Sequence, residues 1–308
     1  MRDAFIHELL NIARADEKVI LITADLGFGV LDNFRKELPS QFINVGVAEQ
    51  NMVGIATGLA LEGYIVFCYS IGNFSTLRCL EQIRNDAAYH DANVKIISVG
   101  GGFSYGPLGM SHHATEDIAI LRALPGVKVI VPSTLNEAAE SAKYLKDQHG
   151  VVYLRLDKSH AEVGNKKALT NFDQWQLVRD GSKVCLITTG GILQESILAA
   201  KSLESHGLEV KLVSAINLTP KTPEVILEKI INCNLVITIE EHVKSGGLGG
   251  LVAECISENT KGITLLRLGL EISNVPAVGS QQYLRHISGI SAEGIVRSTL
   301  TAISKSKF

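Results

Sequence analysis

Short apolar runs alternate with helix-like segments along most of the chain. Runs at 19–27, 64–70 and 94–100 are rich in Val and Ile and end at Gly or Ser, which is typical of buried strands. Between such runs, segments such as 51–63 and 135–147 have the composition and apolar spacing of helices. Strands that alternate with helices form largely parallel sheets covered by helices. The sequence therefore predicts an α/β fold.

The alternation is interrupted once, over residues 158–181, which are polar and have no sustained period. A second alternating series begins with the strand-like run at 183–191. A chain of 308 residues is long enough for two domains of roughly 150 residues each. We predict an α/β domain over 1–165, a linker over 166–181 and a second, smaller α/β domain over 182–308.

Composition excludes several classes of protein. The 29 basic and 32 acidic residues are interleaved and give a net charge of −3, so no patch predicts binding of nucleic acid or an anionic membrane. Charges throughout the first 18 residues are unlike a signal peptide, and no apolar run approaches the ~20 residues that cross a bilayer. Five scattered cysteines without a CxxC pair indicate buried, reduced thiols. We expect a cytoplasmic protein.

One carboxylate stands at a strand-to-helix corner. Glu49 follows an apolar strand-like run and precedes a helix whose small residues permit close approach of another backbone or helix; these are Gly54, Ala56, Gly58 and Ala60. From the residues alone, two interpretations remain open. Glu49 is either an acidic residue that the helix dipole favours, or a fixed functional carboxylate beside a tightly packed interface.

Four segments, in order, resemble the thiamine-diphosphate enzymes of the transketolase family. They are TADLG (23–27), NVGVAEQNMVGIATGLALEG (44–63), SHHATEDIAILRALPGVKVIVPST (111–134) and EEHVKSGGLGG (240–250). The resemblance extends over the whole chain. It implies a pyrimidine-binding domain that binds thiamine diphosphate, followed by a transketolase C-terminal-like domain.

The resemblance also implies a cofactor site. Glu49 matches the family's catalytic glutamate, which hydrogen-bonds the cofactor's pyrimidine ring and favours the tautomer that acts as an internal base. Phe74 falls about 25 residues later, where the family places a phenylalanine that stacks on this ring. Asp25 and Leu26 match the family's Asp-Leu element, and Tyr69 is a nearby aromatic candidate. We expect all five residues to contact the cofactor.

The substrate side of the predicted site departs from the usual family pattern. His112 matches a catalytic histidine near the substrate hydroxyls, and we predict that Arg2, His112 and His113 bind substrate. Of the family's phosphate-binding Arg, Ser, His and Arg, only Arg2 is kept. The other three positions fall on Gly29, Gly100 and Val131, and an aspartate that contacts a sugar hydroxyl falls on Leu108. These departures argue against the ordinary pentose-phosphate substrates.

The half of the site that binds the diphosphate is missing from this sequence. Complete transketolases carry a G-D-G…N motif that holds Mg²⁺, and this chain has no such motif. The resemblance then implies a separate amino-terminal subunit that carries G-D-G…N and the Mg²⁺ site, with a homodimer of this chain inside an α2β2 assembly. We predict no metal ligands within this chain.

Three functions remain open. The first is transfer of a two-carbon ketol unit between sugars or sugar phosphates by a transketolase-like enzyme. The second is decarboxylation of a 2-oxo acid, as in deoxyxylulose-phosphate synthases or dehydrogenase beta subunits. The third is a non-catalytic assembly subunit, against which the joint presence of Glu49, Phe74 and His112 argues. We expect Glu240, Glu241 and His242 to be structural, because they end an apolar strand before a Gly-rich turn.

Overall fold

A computed structural model describes residues 1–163, 171–271, 273 and 277–305. The described residues form two sheets, and each sheet is the centre of one α/β domain. This arrangement confirms the predicted fold class. Within the described ranges, no helix is long and apolar enough to cross a membrane.

The first domain has a six-stranded sheet that is parallel throughout. Its elements are α1 (Arg2–Ala15), β1 (Val19–Thr23), α2 (Asp32–Glu37), β2 (Phe42–Asn44), α3 (Glu49–Leu61), β3 (Ile65–Ile71), α4 (Leu80–Gln82), β4 (Val94–Val99), α5 (Asp117–Arg122), β5 (Lys128–Ile130), α6 (Leu135–Asp147) and β6 (Val152–Leu156). The strands lie in the order β2-β1-β3-β4-β6-β5. All of their pairings are parallel.

The second domain has a five-stranded mixed sheet. Its elements are β7 (Gln176–Arg179), β8 (Val184–Thr188), α7 (Leu193–Ser205), β9 (Val210–Ser214), α8 (Glu224–Ile230), β10 (Leu235–Val243), α9 (Leu248–Asn259), β11 (Thr264–Leu270), α10 (Gln281–Ile287) and α11 (Ala292–Lys305). The strand order is β11-β10-β8-β9-β7, and β7 alone among the described strands runs antiparallel to its neighbour.

Helices cover both faces of the first sheet, and β3 divides its side chains between the two faces. Val66 and Cys68 pack on the same face as α3. Phe67 and Tyr69 point to the opposite face, where α1 and α6 lie. This alternation follows from the two-residue period of a strand. The side chains of consecutive residues at the end of β3 therefore point to opposite faces of the sheet.

Two segments differ from the sequence prediction. Residues 176–179, within the predicted linker 166–181, form the edge strand β7, because Leu177 and its neighbours pair with β9 and the Trp175 indole donates to the Asn217 carbonyl at 2.7 Å. The predicted helix over 75–89 is instead a turn, the short α4 and a π-helix over Ile83–Ala88. Residues 164–170 lie outside the described residues, so the boundary at 165 stays a prediction.

Buried charged groups join the two domains. The Glu241 carboxylate, at the end of β10, accepts the backbone N–H of Phe103 at 2.6 Å and is paired with Arg285. The Arg155 guanidinium, at the end of β6, donates to the carbonyls of Ala114 at 2.9 Å and Glu241 at 3.0 Å. All three of these charged side chains are almost fully buried. Glu241 of the second domain therefore fixes the position of the loop over 100–113 in the first domain.

Candidate active site

Most of the predicted site residues lie at one edge of the first sheet, where the carboxyl ends of its parallel strands meet. The chain passes from β1 outward to β2 and then returns across β1 to β3, so the strand order reverses between β1 and β3. Ligands of open parallel sheets bind at such a reversal, beyond the carboxyl ends of the strands. Segments that follow β1, β3, β4 and β6 all begin at this edge.

Glu49 is the first residue of α3 and its side chain is only 3% exposed. The Ser70 hydroxyl, at the end of β3, lies 3.5 Å from Oε1. The Arg78 guanidinium Nη1 lies 3.1 Å from Oε2. An ion partner and the N-terminal end of a helix both stabilise a carboxylate that is shielded from water. The structure thus holds Glu49 in a fixed position on the α3 face of the sheet.

Phe74 is linked to Glu49 through Arg78 and is also contacted by His112. The Arg78 guanidinium carbon is 3.9 Å from the centre of the Phe74 ring. The His112 ring approaches the same phenylalanine edge-on, with ring centroids 5.1 Å apart. Glu49, Phe74 and His112, which the sequence predicted as one site, therefore form a continuous cluster through Arg78.

Two close contacts bring Phe74 and His112 together. A Cβ on Gly72 would lie 2.7 Å from the Cβ of Ala114, so the loop after β3 needs a glycine to pass this close to the loop after β4. The Asn73 side-chain amide then donates to the carbonyls of Met110 at 3.2 Å and Ser111 at 2.9 Å. These contacts place the phenylalanine directly after Asn73 against the histidine directly after Ser111.

The His112 imidazole favours its neutral form. Burial lowers the pKa of His112, and the nearby charge of Arg78 lowers it further. The Ser111 hydroxyl lies 2.9 Å from Nδ1. A neutral imidazole has one N–H donor and one nitrogen acceptor. His112 is thus suited to exchange a hydrogen bond or a proton with a bound hydroxyl group.

Tyr69 and Arg2 lie on the other face of the sheet from Glu49. Burial raises the pKa of Tyr69 well above its ordinary value, and the nearby Arg2 opposes this shift. Arg2 also lies close to Tyr105. The Lys158 ammonium group lies 3.8 Å above the Tyr105 ring. Burial lowers the pKa of Lys158, and the nearby charge of Arg2 lowers it further. Two cations and two phenols therefore share this region.

A cavity of about 150 Å³ lies at this cationic region, lined by Met1, Arg2, Asp3, Val99, Asp157 and Lys158. Tyr105 connects the region to the Glu49 cluster, because its ring centroid is 6.1 Å from that of His112. The two faces thus meet at the loop after β4. A ligand at this edge would have a carboxylate and an aromatic ring at one end. At the other end it would meet Lys158 and Arg2, which is paired with Asp3 at 3.0 Å.

Asp25 and Leu26 follow β1 at the same edge. The Asp25 carboxylate accepts the Asn44 side-chain amide at 3.1 Å, and the Asp25 N–H donates to the Asn44 amide oxygen at 3.0 Å. The Leu26 carbonyl accepts the Thr23 hydroxyl at 3.0 Å. The Asp25 backbone has a φ of 56°, an unusual value that aspartate tolerates better than most residues. These bonds shape the turn between β1 and β2.

His113 points into the protein rather than toward the predicted substrate. Its side chain is 3% exposed and its ring lies edge-on to Phe103, with centroids 5.0 Å apart. Its Nε2 is 3.3 Å from the Gly106 carbonyl. The structure does not bring His113 to the surface that His112 occupies, because consecutive residues of this loop point in opposite directions.

The positions that depart from the family pattern have local explanations. A Cβ at Gly100 would collide with the Tyr105 ring, so Tyr105 takes the space of a side chain there. Val131 is fully buried in the core, whereas Leu108 is exposed. A Cβ at Gly29 would meet no atom of the described residues within 4 Å, although its φ of 75° favours glycine. At Gly100, therefore, the Tyr105 ring occupies the space beside the backbone.

Three residues of this region were not predicted from the sequence, namely Arg78, Tyr105 and Lys158. Arg78 lies four residues after Phe74, a spacing that brings side chains together on a helix, and a helix was predicted over 75–89. Lys158 is the second residue after β6, at the edge formed by the carboxyl ends of the strands. Tyr105 lies in a Gly-rich loop with no period, so no local pattern signals its position.

The cluster fits an aminopyrimidine ring. A planar group with N–H donors, the Arg78 guanidinium, already stacks on Phe74 and donates to Glu49. A protonated aminopyrimidine is likewise planar and carries ring and amino N–H donors, so the same aromatic face and carboxylate suit it. Among the described residues, no group of three or more His, Cys, Asp or Glu is placed to hold a metal ion.

Glu240 and His242 lie away from this edge, in contact with α9 and α5. The Glu240 carboxylate accepts the N–H groups of Leu248 and Gly249, each at 2.8 Å, at the start of α9. His242 Nε2 accepts the N–H of Ala119 at 3.3 Å. Burial raises the pKa of Glu240 to about 7 and lowers the pKa of His242 to about 4. These contacts are those of structural residues.

Models of known families match both halves of the chain. "Transketolase, pyrimidine binding domain" matches residues 1–163. "Transketolase, C-terminal domain" matches residues 173–295. The two matches follow the same order as the two observed sheets.

Individual relatives match along nearly the whole length. An apulose-4-phosphate transketolase subunit of Actinobacillus succinogenes is 36% identical over 269 residues, 87% of this chain and 86% of the relative. The 6-deoxy-6-sulfo-D-fructose transketolase subunit SqwH of Clostridium sp. (strain MSTE9) is 30% identical over 310 residues, 100% and 96% of the two chains. A solved "split gene transketolase, inactive beta4 tetramer" has a TM-score of 0.90 at 31% identity, over 98% of both chains. The chain therefore belongs to the transketolase family and carries its pyrimidine-binding and C-terminal domains.

Proposed function

We propose that this chain is one subunit of a thiamine-diphosphate-dependent enzyme that transfers a two-carbon ketol unit between sugars or sugar phosphates. The observation that carries the proposal is the convergence of Glu49 and Phe74 on one planar N–H donor, at 3.1 Å and 3.9 Å. The two relatives described above are named as transketolase subunits, which supports the reaction type. The substrates in the relatives' names, apulose 4-phosphate and 6-deoxy-6-sulfofructose, support an acceptor or donor outside the ordinary pentose phosphates.

Each residue of the cluster has a distinct task in this proposal. Thiamine diphosphate supplies a nucleophilic carbon that stabilises negative charge on the transferred unit. Glu49 holds a proton at the pyrimidine nitrogen, and its burial excludes competing water. Phe74 fixes the ring plane by stacking. Neutral His112 accepts or donates a proton at a substrate oxygen, while Asp25, Leu26 and Tyr69 shape the edge from which the cofactor is held.

The cationic region is proposed to bind an anionic group of the substrate. Arg2 and Lys158 lie at the cavity of about 150 Å³, and a phosphate or sulfonate prefers several charge-assisted donors. Tyr105 lies between Lys158 and His112, so one substrate could span the distance from the anion site to the reacting atoms. We propose His113 as a support for the loop, since its buried ring does not face this cavity.

A second subunit is proposed to hold Mg²⁺ and the diphosphate. The chain lacks the G-D-G…N motif, and apolar side chains next to the cluster are exposed: Val47 is 74% and Leu77 51% exposed. Exposed apolar groups around a site indicate a contact surface. That the similar beta4 tetramer is described as inactive also supports a missing partner. We further propose a homodimer of this chain within an α2β2 assembly.

Cofactor binding tests the split site. Calorimetry with thiamine diphosphate and Mg²⁺ is performed on this chain, on a candidate partner that carries G-D-G…N, and on their mixture. We expect binding in the mixture alone. Tight binding by the isolated chain would contradict the proposed location of the diphosphate site, and no binding in the mixture would favour an assembly subunit.

Product analysis separates the two enzymatic candidates. The mixture is supplied with a ketose phosphate plus an aldose acceptor, or with pyruvate plus the same acceptor. Ketol transfer without release of carbon dioxide supports the transketolase reaction. Carbon dioxide formed from pyruvate would instead support the decarboxylating alternative.

The variant Glu49→Gln tests the cluster itself. Glutamine keeps the size of the side chain but cannot carry the charge that stabilises the protonated pyrimidine, so turnover should fall about 100-fold or more. Circular dichroism should show an intact fold. Glu62→Gln, at the exposed residue that follows the same helix, is the matched control and should retain full activity. Normal turnover by Glu49→Gln would contradict the assignment.

A further inference from the structure

Arg78 contacts both of the side chains, Glu49 and Phe74, that are proposed to bind the pyrimidine of the cofactor. The Arg78 guanidinium lies over Phe74, with its carbon 3.9 Å from the ring centre. The same guanidinium approaches Glu49 Oε2 to 3.1 Å. Its side chain is 47% exposed, whereas that of Glu49 is 3% exposed. Arg78 thus reaches inward from solvent to a buried carboxylate.

The guanidinium resembles the proposed ligand in the properties that this pocket recognises. It is planar, delocalised and rich in N–H donors, and it stacks on aromatic rings. A protonated aminopyrimidine has the same features. A pyrimidine ring that uses this face of Phe74 and this oxygen of Glu49 would exclude the guanidinium, because both groups cannot occupy the same space.

We propose that Arg78 occupies the place of the cofactor's pyrimidine in the unloaded chain, and that binding of the cofactor displaces its guanidinium toward solvent. This inference rests on the proposed function, because it requires that thiamine diphosphate binds here.

The unloaded site needs a cation at this position for a physical reason. A buried carboxylate without a counter-charge is costly. The N-terminal end of α3 offsets only part of this cost, and the neutral Ser70 hydroxyl, 3.5 Å from Glu49, supplies no charge. Arg78 neutralises Glu49 until a cationic ring replaces it. Its long stem allows this movement without a change in the backbone, and its position in the turn after Phe74 keeps it within reach.

Competition for one place has a measurable consequence. The cofactor must break the Arg78–Glu49 pair and the stacking on Phe74 before it binds, so this arginine weakens the apparent affinity. Arg78→Met keeps a long unbranched stem and removes the charge and the planar group. We expect this variant, in the complex with the partner subunit, to bind thiamine diphosphate and Mg²⁺ about tenfold more tightly than wild type.

The measurement is the dissociation constant by calorimetry, which requires no turnover. Arg78→Lys is the second variant; it keeps a cation but lacks the plane, and an intermediate affinity is expected. Arg14→Ala is the matched control. It also removes an Arg–Glu pair, in which Arg14 Nε lies 3.0 Å from the Glu37 carboxylate, but neither residue belongs to the Glu49 cluster. Its affinity should equal that of wild type. Circular dichroism confirms that each variant is folded.

The outcomes are distinct. Tighter binding by Arg78→Met supports the displacement. Equal or weaker binding by the folded variant, with normal binding by wild type, would overturn it, and weaker binding would make Arg78 a direct cofactor contact. If neither wild type nor any variant binds thiamine diphosphate, the proposed function fails and this inference fails with it.

Discussion

At the scale of single residues, the site depends on side chains that neighbouring segments place in contact. A Cβ on Gly72 would lie 2.7 Å from Ala114, and this close approach sets Phe74 against His112. Tyr105 fills the space next to Gly100 and lies under Lys158. Small changes at these positions would therefore alter which substrate groups reach the reacting atoms.

Lys158 provides a test of substrate class at this scale. If its ammonium binds a phosphate, Lys158→Ala should raise KM for a phosphorylated sugar about tenfold, since hydrogen bonds to charged groups contribute most. KM for the matching unphosphorylated sugar should change little. Steady-state kinetics of the reconstituted enzyme measure both. Lys201→Ala, on the exposed side of α7, is the control, and an equal effect on the two sugars would contradict an anion site.

Glu49, Phe74 and His112 could be predicted because a family resemblance assigns them by motif. The resemblance did not indicate that Glu49 has an arginine partner, or that Tyr69 faces away from it. These facts depend on strand alternation and on contacts across long separations in the sequence. The approach of Arg2, Tyr105 and Lys158 likewise arises only when distant segments meet at the sheet edge.

At the scale of elements, locally determined helices and strands matched the prediction well. The helix α6 begins where Thr134 accepts the Glu137 N–H, a capping box contained in four residues. By contrast, β7 is a short edge strand whose pairing with β9 no local period reveals. After β3, the hydroxyls of Ser75 and Thr76 bond back to the carbonyls of Ile71 and Gly72, and this competes with a regular helix.

The end of β10 contains two buried groups that respond to pH in opposite directions. The folded-state pKa of Glu240 is raised to about 7, so between its unfolded value of about 4.3 and about 7 its contribution to the free energy of unfolding falls as pH rises. The pKa of His242 is lowered to about 4. Between about 4 and its unfolded value of about 6.5, its contribution rises with pH.

Single variants should separate these contributions. Glu240→Gln should make the free energy of unfolding rise more steeply between about pH 4.5 and 6.5 than in wild type, and His242→Gln should make it rise less steeply. Each change in slope should be on the order of 1 kcal/mol per pH unit. Urea unfolding at several pH values measures the slopes. Curves parallel to that of wild type would contradict the buried, opposed titrations.

At the scale of the whole molecule, the exposed face of α3 is a candidate contact surface. Gly54 and Gly58 lie on it, and a Cβ at either position would meet no atom of the described residues within 4 Å. The described part of the chain therefore does not require glycine there, and glycine in a helix costs about 1 kcal/mol relative to alanine. We infer that this face is a subunit contact, since close approach of another subunit would account for the small residues.

Gly54→Leu should therefore leave the folded chain intact but disrupt self-association. The added side chain enters open space in the single chain, so the melting temperature should be unchanged or higher. It would collide with a closely packed neighbour across the interface, and sedimentation should show smaller particles. Lys201→Leu, an exposed helical substitution on α7, is the control. Unchanged sedimentation of Gly54→Leu would remove α3 from the interface.

The hydrogen bond from the Phe103 N–H to Glu241 has a consequence for how such a protein can change over time. The loop that carries His112 belongs to the first domain, yet its Phe103 N–H donates a hydrogen bond to the Glu241 carboxylate of the second domain. Exchanging the second domain for that of a distant relative is therefore expected to shift the loop that carries His112. We therefore expect the two domains to tolerate exchange only as a pair.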